Sequence, residues 1–348
     1  MLGRVEGFNA AIGLANAIRL HEVSHLVREI SPIADWRCYG ELRRLIRELK
    51  PDVVHTHSSK AGIIGRAAAW AEGGREGDVR VVHTIHGPPF HRYESWWRNR
   101  LYVWLERWAA RRCHVIVSVA DAMTKQFRNA RIGRPEQFVT VRSGMEIEPF
   151  ETARAGESRE EMRNELGFGA GDVVIGTVAR LAELKGHDDL LDALADDLKQ
   201  RPELKLLWVG DGWWRGRLEK RLAELGLAGR VTISGMVPPE RVPAMIRAMD
   251  LVVHPSYREG LPRVVPQALL SGVPVVAYDV DGTGEVCIDQ ETGRLVRAGD
   301  ITCLREAVEW VLADPARARQ TAERGKAMCR AWFSAERMVE SLERVYAG

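Results

Sequence analysis

The chain has 348 residues, more than a typical single domain, which favours two domains with separate hydrophobic cores. Its 50 Lys and Arg residues nearly balance its 48 Asp and Glu residues, and the net charge of +2 argues against binding of nucleic acid by the whole surface. The five cysteines are scattered without a CxxC pair, which indicates a reducing compartment and no disulfide framework. The longest uncharged run, residues 264–278, is interrupted by two prolines and is shorter than a membrane-spanning helix.

Helical and strand patterns alternate from Glu41 onward. The helical segment ELRRLIRELK precedes the apolar strand DVVHTH, AGIIGRAAAWA precedes the strand VRVVHTIHG, and SWWRNRLYVWLERWAARR precedes HVIVSV. Strands that alternate with helices predict a parallel sheet that is covered on both faces.

A polar stretch at residues 151–171 interrupts this alternation, which resumes at DVVIGTVAR. The further strand candidates are LKLLWVG, RVTISG, LVVHPS and VPVVAYDV, and from Leu304 the pattern is helical, with Ser334 as the N-cap of a final helix. We therefore predict an α/β fold of two Rossmann-like, doubly wound domains that face each other across a cleft, with ligands at the carboxyl ends of the strands. The predicted domains are residues 1–150 and 151–330, followed by a helix at residues 331–348 that packs back on the first domain.

Polar and glycine residues are concentrated after the strands of the second half. Arg180 and Lys185 lie in VARLAELKG, GDG follows the next strand, Glu259 lies in HPSYREGLP, and DVDGTGEV follows the last strand. Each has a plain structural interpretation, because the two cations could be solvated surface charges and GDG an ordinary turn. Their common place at strand ends favours an anion site, since fixed cations and backbone N–H groups both bind anions.

The segments RLAELKG, GDG, PSYREGLPRVVPQALLSGVPVVA and GEVCIDQETGRLV occur in this order in the second half. In this arrangement the sequence resembles glycosyltransferase family 4, whose members have the GT-B fold. VHTHSSKAG, HTIHG and VRSGMEIEPF extend the resemblance from about Leu42 to the end of the chain. The resemblance implies an enzyme that moves a sugar from a nucleoside-diphosphate-sugar donor to a glycan, lipid-linked or small-molecule acceptor. It also implies retention of the anomeric configuration with no cofactor and no metal ion, the leaving phosphate taking the proton of the acceptor.

The same resemblance assigns roles to individual residues. It places Arg180 and Lys185 on the diphosphate, Glu259 beside the sugar hydroxyls and His86 near the reacting sugar. Where the family has a second glutamate, at the ribose, this chain has Gln267, so we expect weaker donor binding because an amide makes no charge-assisted hydrogen bond. The other donor-side residues implied are Gly235, Met236 and Val237 at the base, the turn Gly260, Leu261 and Pro262, and the phosphate-side turn Gly282, Thr283, Gly284 and Glu285. His57 and Ser58 are candidate acceptor-side contacts.

Two other functions fit the same residues. A nucleotide-sugar epimerase of this architecture would interconvert the donor without an acceptor, and a non-catalytic subunit would bind the sugar nucleotide without turnover. Asp279 and Asp281 form a DxD, which in another transferase fold would hold a divalent cation. It lies at the end of a strand of the second domain, where the resemblance implies that no metal is bound.

An aromatic and basic segment at residues 91–112 contains four tryptophans and six arginines. Tryptophan and arginine on one helix are typical of a membrane interface. The alternative is that Trp104 and Trp108, spaced i and i+4, pack inward while the arginines are solvated. We predict a cytoplasmic protein and leave peripheral contact with the inner face of the membrane open.

The first residues differ from the family pattern. Relatives are expected to open with an apolar strand, a glycine-rich loop that closes over the donor phosphates, and a helix. The segment MLGRVEGFNAAIGLANAIRLHEVSHLVREIS has no early β-branched run, and the likeness begins at about residues 26–42. We therefore expect an incomplete first domain that is less stable than the second, with donor binding retained and transfer weakened.

Overall fold

A computed structural model describes residues 19–27 and 29–348, and they divide into two compact units. The first unit contains the residues up to Val119, Met123–Thr140 and Arg344–Gly348, and the second contains Ala120–Ala122 and Val141–Glu343. The expectation of a missing opening strand and glycine-rich loop concerns mainly residues outside the described part of the chain.

In its described part, the first unit is built on a parallel sheet of four strands in the order β1-β2-β3-β4. The strands are β1 (Val53–His57), β2 (Arg80–Ile85), β3 (Val115–Ser118) and β4 (Phe138–Thr140). The helices are α1 (Pro32–Leu49), α2 (Ser59–Ala69), α3 (Trp96–Ala110) and α4 (Asp121–Asn129). The sequence patterns predict the first three strands but not β4, because three residues at a sheet edge are too few to show a period.

Close packing of α2 explains its small residues. A Cβ on Gly62 would lie 2.4 Å from the ring of His83 on β2, and a Cβ on Gly65 would lie 2.8 Å from Thr56 on β1. On the same helix Arg66 is fully buried and pairs with Glu106 of α3 at 2.7 Å. A buried charge is tolerated only with such a partner, so this pair fixes α2 against α3.

The second unit contains a six-stranded parallel sheet in the order β10-β9-β8-β5-β6-β7. The strands are β5 (Val173–Val178), β6 (Leu204–Val209), β7 (Val231–Gly235), β8 (Leu251–His254), β9 (Val275–Asp279) and β10 (Arg294–Arg297). Counted within the unit, this is the doubly wound Rossmann order, in which the first strand, β5, lies between β6 and β8. The patterns predict five of these strands and miss β10, a four-residue edge strand that begins and ends with arginine.

In the described part of the chain, the second unit contains eight helices and most of a ninth, the last, which ends in the first unit. They are α5 (Glu148–Glu151), α6 (Arg159–Glu165), α7 (His187–Gln200), α8 (Arg215–Glu224), α9 (Val242–Arg247), α10 (Val264–Leu270), α11 (Ile301–Ala313), α12 (Pro315–Trp332) and α13 (Ala335–Ala347). The predicted cap of the last helix is confirmed, because Ser334 Oγ accepts a hydrogen bond of 3.2 Å from the N–H of Arg337. In the first unit, the side chain of Arg80 donates to the carbonyl of Val345 near the end of α13.

The tryptophans of α3 are more exposed than inward packing predicts. Trp104 is 60% exposed, so the interpretation that it packs inward is wrong for this residue. Trp108 is half-buried, and the guanidinium of Arg112 lies 3.8 Å from its ring centre. Among the described residues, no helix is both long and apolar enough to cross a membrane.

Candidate active site

The order of strands in the second unit creates a crevice at the carboxyl ends of β5 and β8. These strands are neighbours in the sheet, yet the chain winds away from them in opposite directions, to β6 on one side and to β9 on the other. Ligands of doubly wound folds bind where the winding changes direction. The loop after β5 carries Arg180 and Lys185, and the loop after β8 carries Glu259.

The predicted donor residues are brought together at this position. Arg180, Lys185, Glu259 and Gln267 line one pocket of about 550 Å³, and the predicted Pro262 lines it too. Further lining residues that the sequence patterns did not single out include Trp213 after β6 and His254 at the end of β8.

Lys185 and Glu259 form the charged centre of this pocket. Lys185 Nζ lies 2.7 Å from Glu259 Oε1 and 3.4 Å from Ser256 Oγ. The buried His254 places Nε2 at 3.2 Å from the same carboxylate oxygen, a close contact rather than a well-aligned hydrogen bond. Burial alone would raise the pKa of Glu259, but His254 and Lys185 outweigh it and hold that pKa well below its ordinary value. Glu259 is therefore a carboxylate at neutral pH, suited to accept hydrogen bonds.

The loop that carries Lys185 has an unusual backbone. Leu184 has a φ of 63° and Gly186 a φ of 72°, a region that favours glycine. A Cβ on Gly186 would lie 1.9 Å from the carbonyl oxygen of Pro255. Only glycine therefore allows this loop to pack against the loop after β8, and this packing places Lys185 beside Glu259.

The loop after β9 supports the loop that carries Glu259. Asp281 Oδ2 accepts a hydrogen bond of 2.7 Å from the N–H of Glu259, and the N–H of Gly282 donates to the carbonyl of Gly260 at 2.9 Å. The N–H of Thr283 donates to the carbonyl of Val280. The turn of Gly282, Thr283 and Gly284 was expected to offer N–H donors to phosphate. The N–H groups of Gly282 and Thr283 have partners within the protein, and a role for the turn at the phosphates stays a prediction.

The contacts of Asp281 bear on the alternative in which the DxD motif holds a metal ion. The carboxylate of Asp281 is engaged with the backbone of Glu259, and its own φ of 49° places it in a tight turn. Across residues 19–27 and 29–348, no group of three His, Cys, Asp or Glu side chains is arranged to hold a metal ion.

The remaining predicted donor residues lie around the same sheet edge. Gly235 ends β7 with a φ of 71°, and its carbonyl accepts the N–H of Gly210, while Met236 is exposed. The side chains of Val237 and Leu261 are half-buried and pack against the apolar core of the unit.

The phosphate-side turn ends at Gly284 and Glu285, which lie in a short 3-10 helix. The Glu285 carboxylate pairs with Arg142 at 3.0 Å. This pairing gives Glu285 a structural partner within the second unit.

The acceptor-side candidates belong to the first unit, at the carboxyl ends of β1 and β2. His57 Nδ1 lies 3.0 Å from His86 Nε2, and their rings stack with centres 5.2 Å apart. Ser58, at the start of α2, has a φ of 61° and a ψ of 159°, an outlier for a residue with a side chain. Strained residues cluster at functional sites, which supports a role for this loop.

His55 lies beside this histidine pair and is held by two hydroxyl groups. Its Nδ1 is 2.6 Å from Tyr346 Oη, and its Nε2 is 2.7 Å from Thr84 Oγ1. Burial, with smaller contributions from the charges of His57 and His86, lowers the pKa of His55 to about 4. His55 is therefore neutral at neutral pH.

The crevice lies at a Rossmann switch point, where α/β proteins of this class bind nucleotides. Its charged lining residues are Arg180, Glu183, Lys185, Glu259 and Arg263. The family model described as Glycosyltransferase Family 4 matches residues 6–148, and the model described as Glycosyl transferases group 1 matches residues 158–328. The chain belongs to glycosyltransferase family 4 and is a nucleotide-sugar-dependent glycosyltransferase with the GT-B fold. The match begins at residue 6, so the expectation that the likeness starts at residues 26–42 was wrong.

Individual relatives agree with this assignment. UDP-Gal:alpha-D-GlcNAc-diphosphoundecaprenol alpha-1,3-galactosyltransferase of Escherichia coli is 28% identical over 86% of this chain and 76% of its own length. The 2-deoxystreptamine glucosyltransferase of Streptomyces kanamyceticus is 31% identical over 61% of this chain, which spans about half of that enzyme (54%). The crystal structure of Anabaena HepE in complex with UDP-glucose has the same fold, with a TM-score of 0.78 at 24% identity, covering 91% of this chain and 84% of that one.

Proposed function

We propose that this glycosyltransferase moves a hexose or related sugar from a nucleoside-diphosphate-sugar to a glycan, lipid-linked or small-molecule acceptor, with retention of the anomeric configuration and without a metal ion. The observation that carries the proposal is the pocket in which Arg180, Lys185, Glu259 and Gln267 meet. The acceptors that appear in the names of the two relatives support this breadth. One acceptor is a diphosphoundecaprenol-linked sugar, and the other is 2-deoxystreptamine. The Anabaena structure with UDP-glucose makes a uridine donor the first to test.

The chemistry requires cations near the diphosphate. In the proposed step the bond between the anomeric carbon and the diphosphate oxygen breaks, and the acceptor oxygen bonds to the same face of the sugar. The acceptor proton passes to the oxygen of the leaving phosphate. Negative charge therefore grows on the diphosphate, where Arg180 and Lys185 stabilise it more strongly than in the ground state.

Glu259 has two roles in this proposal. Its carboxylate accepts hydrogen bonds from the sugar hydroxyls, and its ion pair with Lys185 holds the ammonium group in place before the donor arrives. A preorganised cation loses less side-chain entropy on binding and needs no reorganisation as charge develops. Gln267 binds the ribose with an amide hydrogen bond, which is weaker than the bond of a carboxylate.

Metal independence is part of this proposal, because Arg180 and Lys185 would take the place of the divalent ion that other transferases use at the diphosphate. Asp281, the best candidate ligand for a metal, supports the backbone of Glu259 instead. We also propose a cytoplasmic location, since all five cysteines are free thiols, as expected in a reducing compartment.

The test is an incubation of the full chain with uridine, guanosine or adenosine diphosphate sugars, a mixture of acceptors, and EDTA. Mass spectrometry would detect the glycosylated product, and NMR of its anomeric proton would report the configuration. A product that forms in EDTA with retention is the expected result. A product that requires Mn²⁺, or has inverted configuration, would refute that part of the proposal.

Two control reactions separate the alternative functions. An isomerised sugar in the reaction with donor alone would indicate an epimerase. Tight binding of the donor without any product would indicate a non-catalytic subunit.

A further inference from the structure

One surface of the first unit combines exposed tryptophans with arginines. We call it the α3 face and define it by Trp96, Trp97, Arg100, Leu101, Trp104 and Arg107. Trp96 is 72% exposed, Trp97 53% and Trp104 60%. Scattered exposed hydrophobic residues are normal on proteins, but three exposed indole rings lie within nine residues of this chain, and clusters of exposed apolar side chains mark interaction sites.

Helical geometry places these residues on one side of α3. Trp96, Arg100 and Trp104 are spaced i, i+4 and i+8, and Arg107 continues the same row. The opposite side of the helix, with Glu106 and Ala109, is buried in the first unit. The helix therefore presents an apolar and basic stripe outward along its whole length.

The charge of this region is strongly positive although the whole chain is nearly neutral. Residues 91–112 contain six arginines and two glutamates, and one of these, Glu106, is buried against Arg66. Arg92, Arg100 and Arg107 line a groove of about 740 Å³, together with Val103 and Trp104. No Asp or Glu is among the described residues that line it. Of the three guanidinium groups, that of Arg107 already donates through Nε and Nη2 to the carbonyl of Ala130. The groove, with Arg92 and Arg100 beside apolar walls, is suited to a phosphate headgroup with an attached acyl chain.

We propose that the α3 face docks this enzyme on a bilayer that contains anionic phospholipid. The tryptophan rings enter the interfacial region, and the arginines contact the lipid phosphates. A second copy of the chain fits this face poorly, because a symmetric contact would bring arginines against arginines. The inference rests on α3 and its preceding turn alone, so it stands or fails independently of the donor pocket.

The test is co-sedimentation of the full chain with vesicles of phosphatidylcholine alone and of phosphatidylcholine mixed with phosphatidylglycerol. We expect binding to the mixed vesicles that weakens with added salt. The Trp96→Ala/Trp104→Ala variant should bind roughly tenfold more weakly, because it loses most of the inserted apolar area. Arg100→Ala should weaken binding to the anionic vesicles roughly fivefold and should change binding to the neutral vesicles little.

Trp36→Ala is the matched control, because Trp36 of α1 is 75% exposed but lies outside the α3 face. This variant should bind the vesicles as tightly as the unchanged chain. Thermal unfolding would establish that all variants fold. Equal binding by all variants, or no preference for anionic vesicles, would overturn the proposal. Self-association that the double tryptophan variant abolishes, without vesicle binding, would assign the face to a protein contact and also overturn it.

Discussion

Lys185 Nζ and Glu259 Oε1 lie 2.7 Å apart although they are 74 residues apart in sequence. They meet because β5 and β8 are adjacent in the sheet, and Gly186 lets the loop after β5 approach the carbonyl of Pro255. An ion pair at the switch point of a doubly wound sheet is the centre of the proposed donor site.

Removal of either cation should weaken catalysis more than folding. We expect Arg180→Ala and Lys185→Ala each to lower kcat/KM by more than tenfold, because loss of one preorganised partner of a developing anion commonly costs about 3 kcal/mol. The measurement is steady-state turnover together with thermal unfolding. Lys220→Ala, at an exposed position on α8, is the control. Full activity in both pocket variants would remove the diphosphate site from this pocket.

Trp213 should hold Arg180 in place for the donor. Its ring is 69% exposed, and the Arg180 guanidinium lies 5.5 Å from the ring centre. An exposed cation–π contact contributes about 0.5–1 kcal/mol, so Trp213→Ala should raise the KM for the donor roughly threefold to fivefold, while Trp213→Phe should retain most of the affinity. An unchanged KM in Trp213→Ala would show that the ring contributes nothing to donor binding.

Gln267→Glu should strengthen donor binding. A carboxylate makes a stronger, charge-assisted hydrogen bond to a ribose hydroxyl, so we expect the Kd of UDP to fall roughly threefold to tenfold. Gln267→Ala is the complementary variant and should bind more weakly than the unchanged chain. If Gln267→Glu binds UDP less tightly, the side chain does not contact the ribose.

The second unit should lose stability in mild acid because of His187. This residue is buried at the start of α7, with its ring 5.0 Å from the ring of Trp208. Burial is the main cause that lowers the pKa of His187 to about 4, so between pH 6.5 and pH 4 the unfolded chain binds a proton that the folded chain does not. Stability is therefore highest above pH 6.5 and falls as the pH drops, by up to about 3 kcal/mol for this group.

The measurement is the free energy of unfolding in urea from pH 7 to pH 4. His187→Phe, which keeps the aromatic contact, should flatten this profile. An unchanged slope in that variant would exclude His187 as a major source of the pH dependence.

Much of the site was predictable because its motifs follow strands directly. Arg180, Lys185 and Glu259 come after apolar runs whose carboxyl ends share one sheet edge, so sequence position alone implied proximity. His254 and Trp213 were missed, since one looks like the last residue of a strand and the other like part of an ordinary turn. The bonds from Asp281 and Gly282 to the loop after β8 depend on strand order, which no local pattern encodes.

The fold was predictable to a similar degree. Apolar strands that alternate with helices indicated two parallel sheets, but the short edge strands β4 and β10 lack a readable period. The helix α6 had a usable signal, because Ser158 and Glu161 form a capping box that the sequence displays. The exposure of Trp104 could not be inferred, since an i, i+4 pair of tryptophans suits either an inward or an outward face.

Calorimetric titration of UDP into this chain in the presence of EDTA tests the central claim, that side chains of the second unit hold the diphosphate without a metal ion. We predict that UDP binds, that UMP binds more weakly because it lacks the second phosphate, and that Arg180→Ala/Lys185→Ala weakens UDP binding at least tenfold. UDP binding that requires Mn²⁺, or that is unaffected in this double variant, would contradict it.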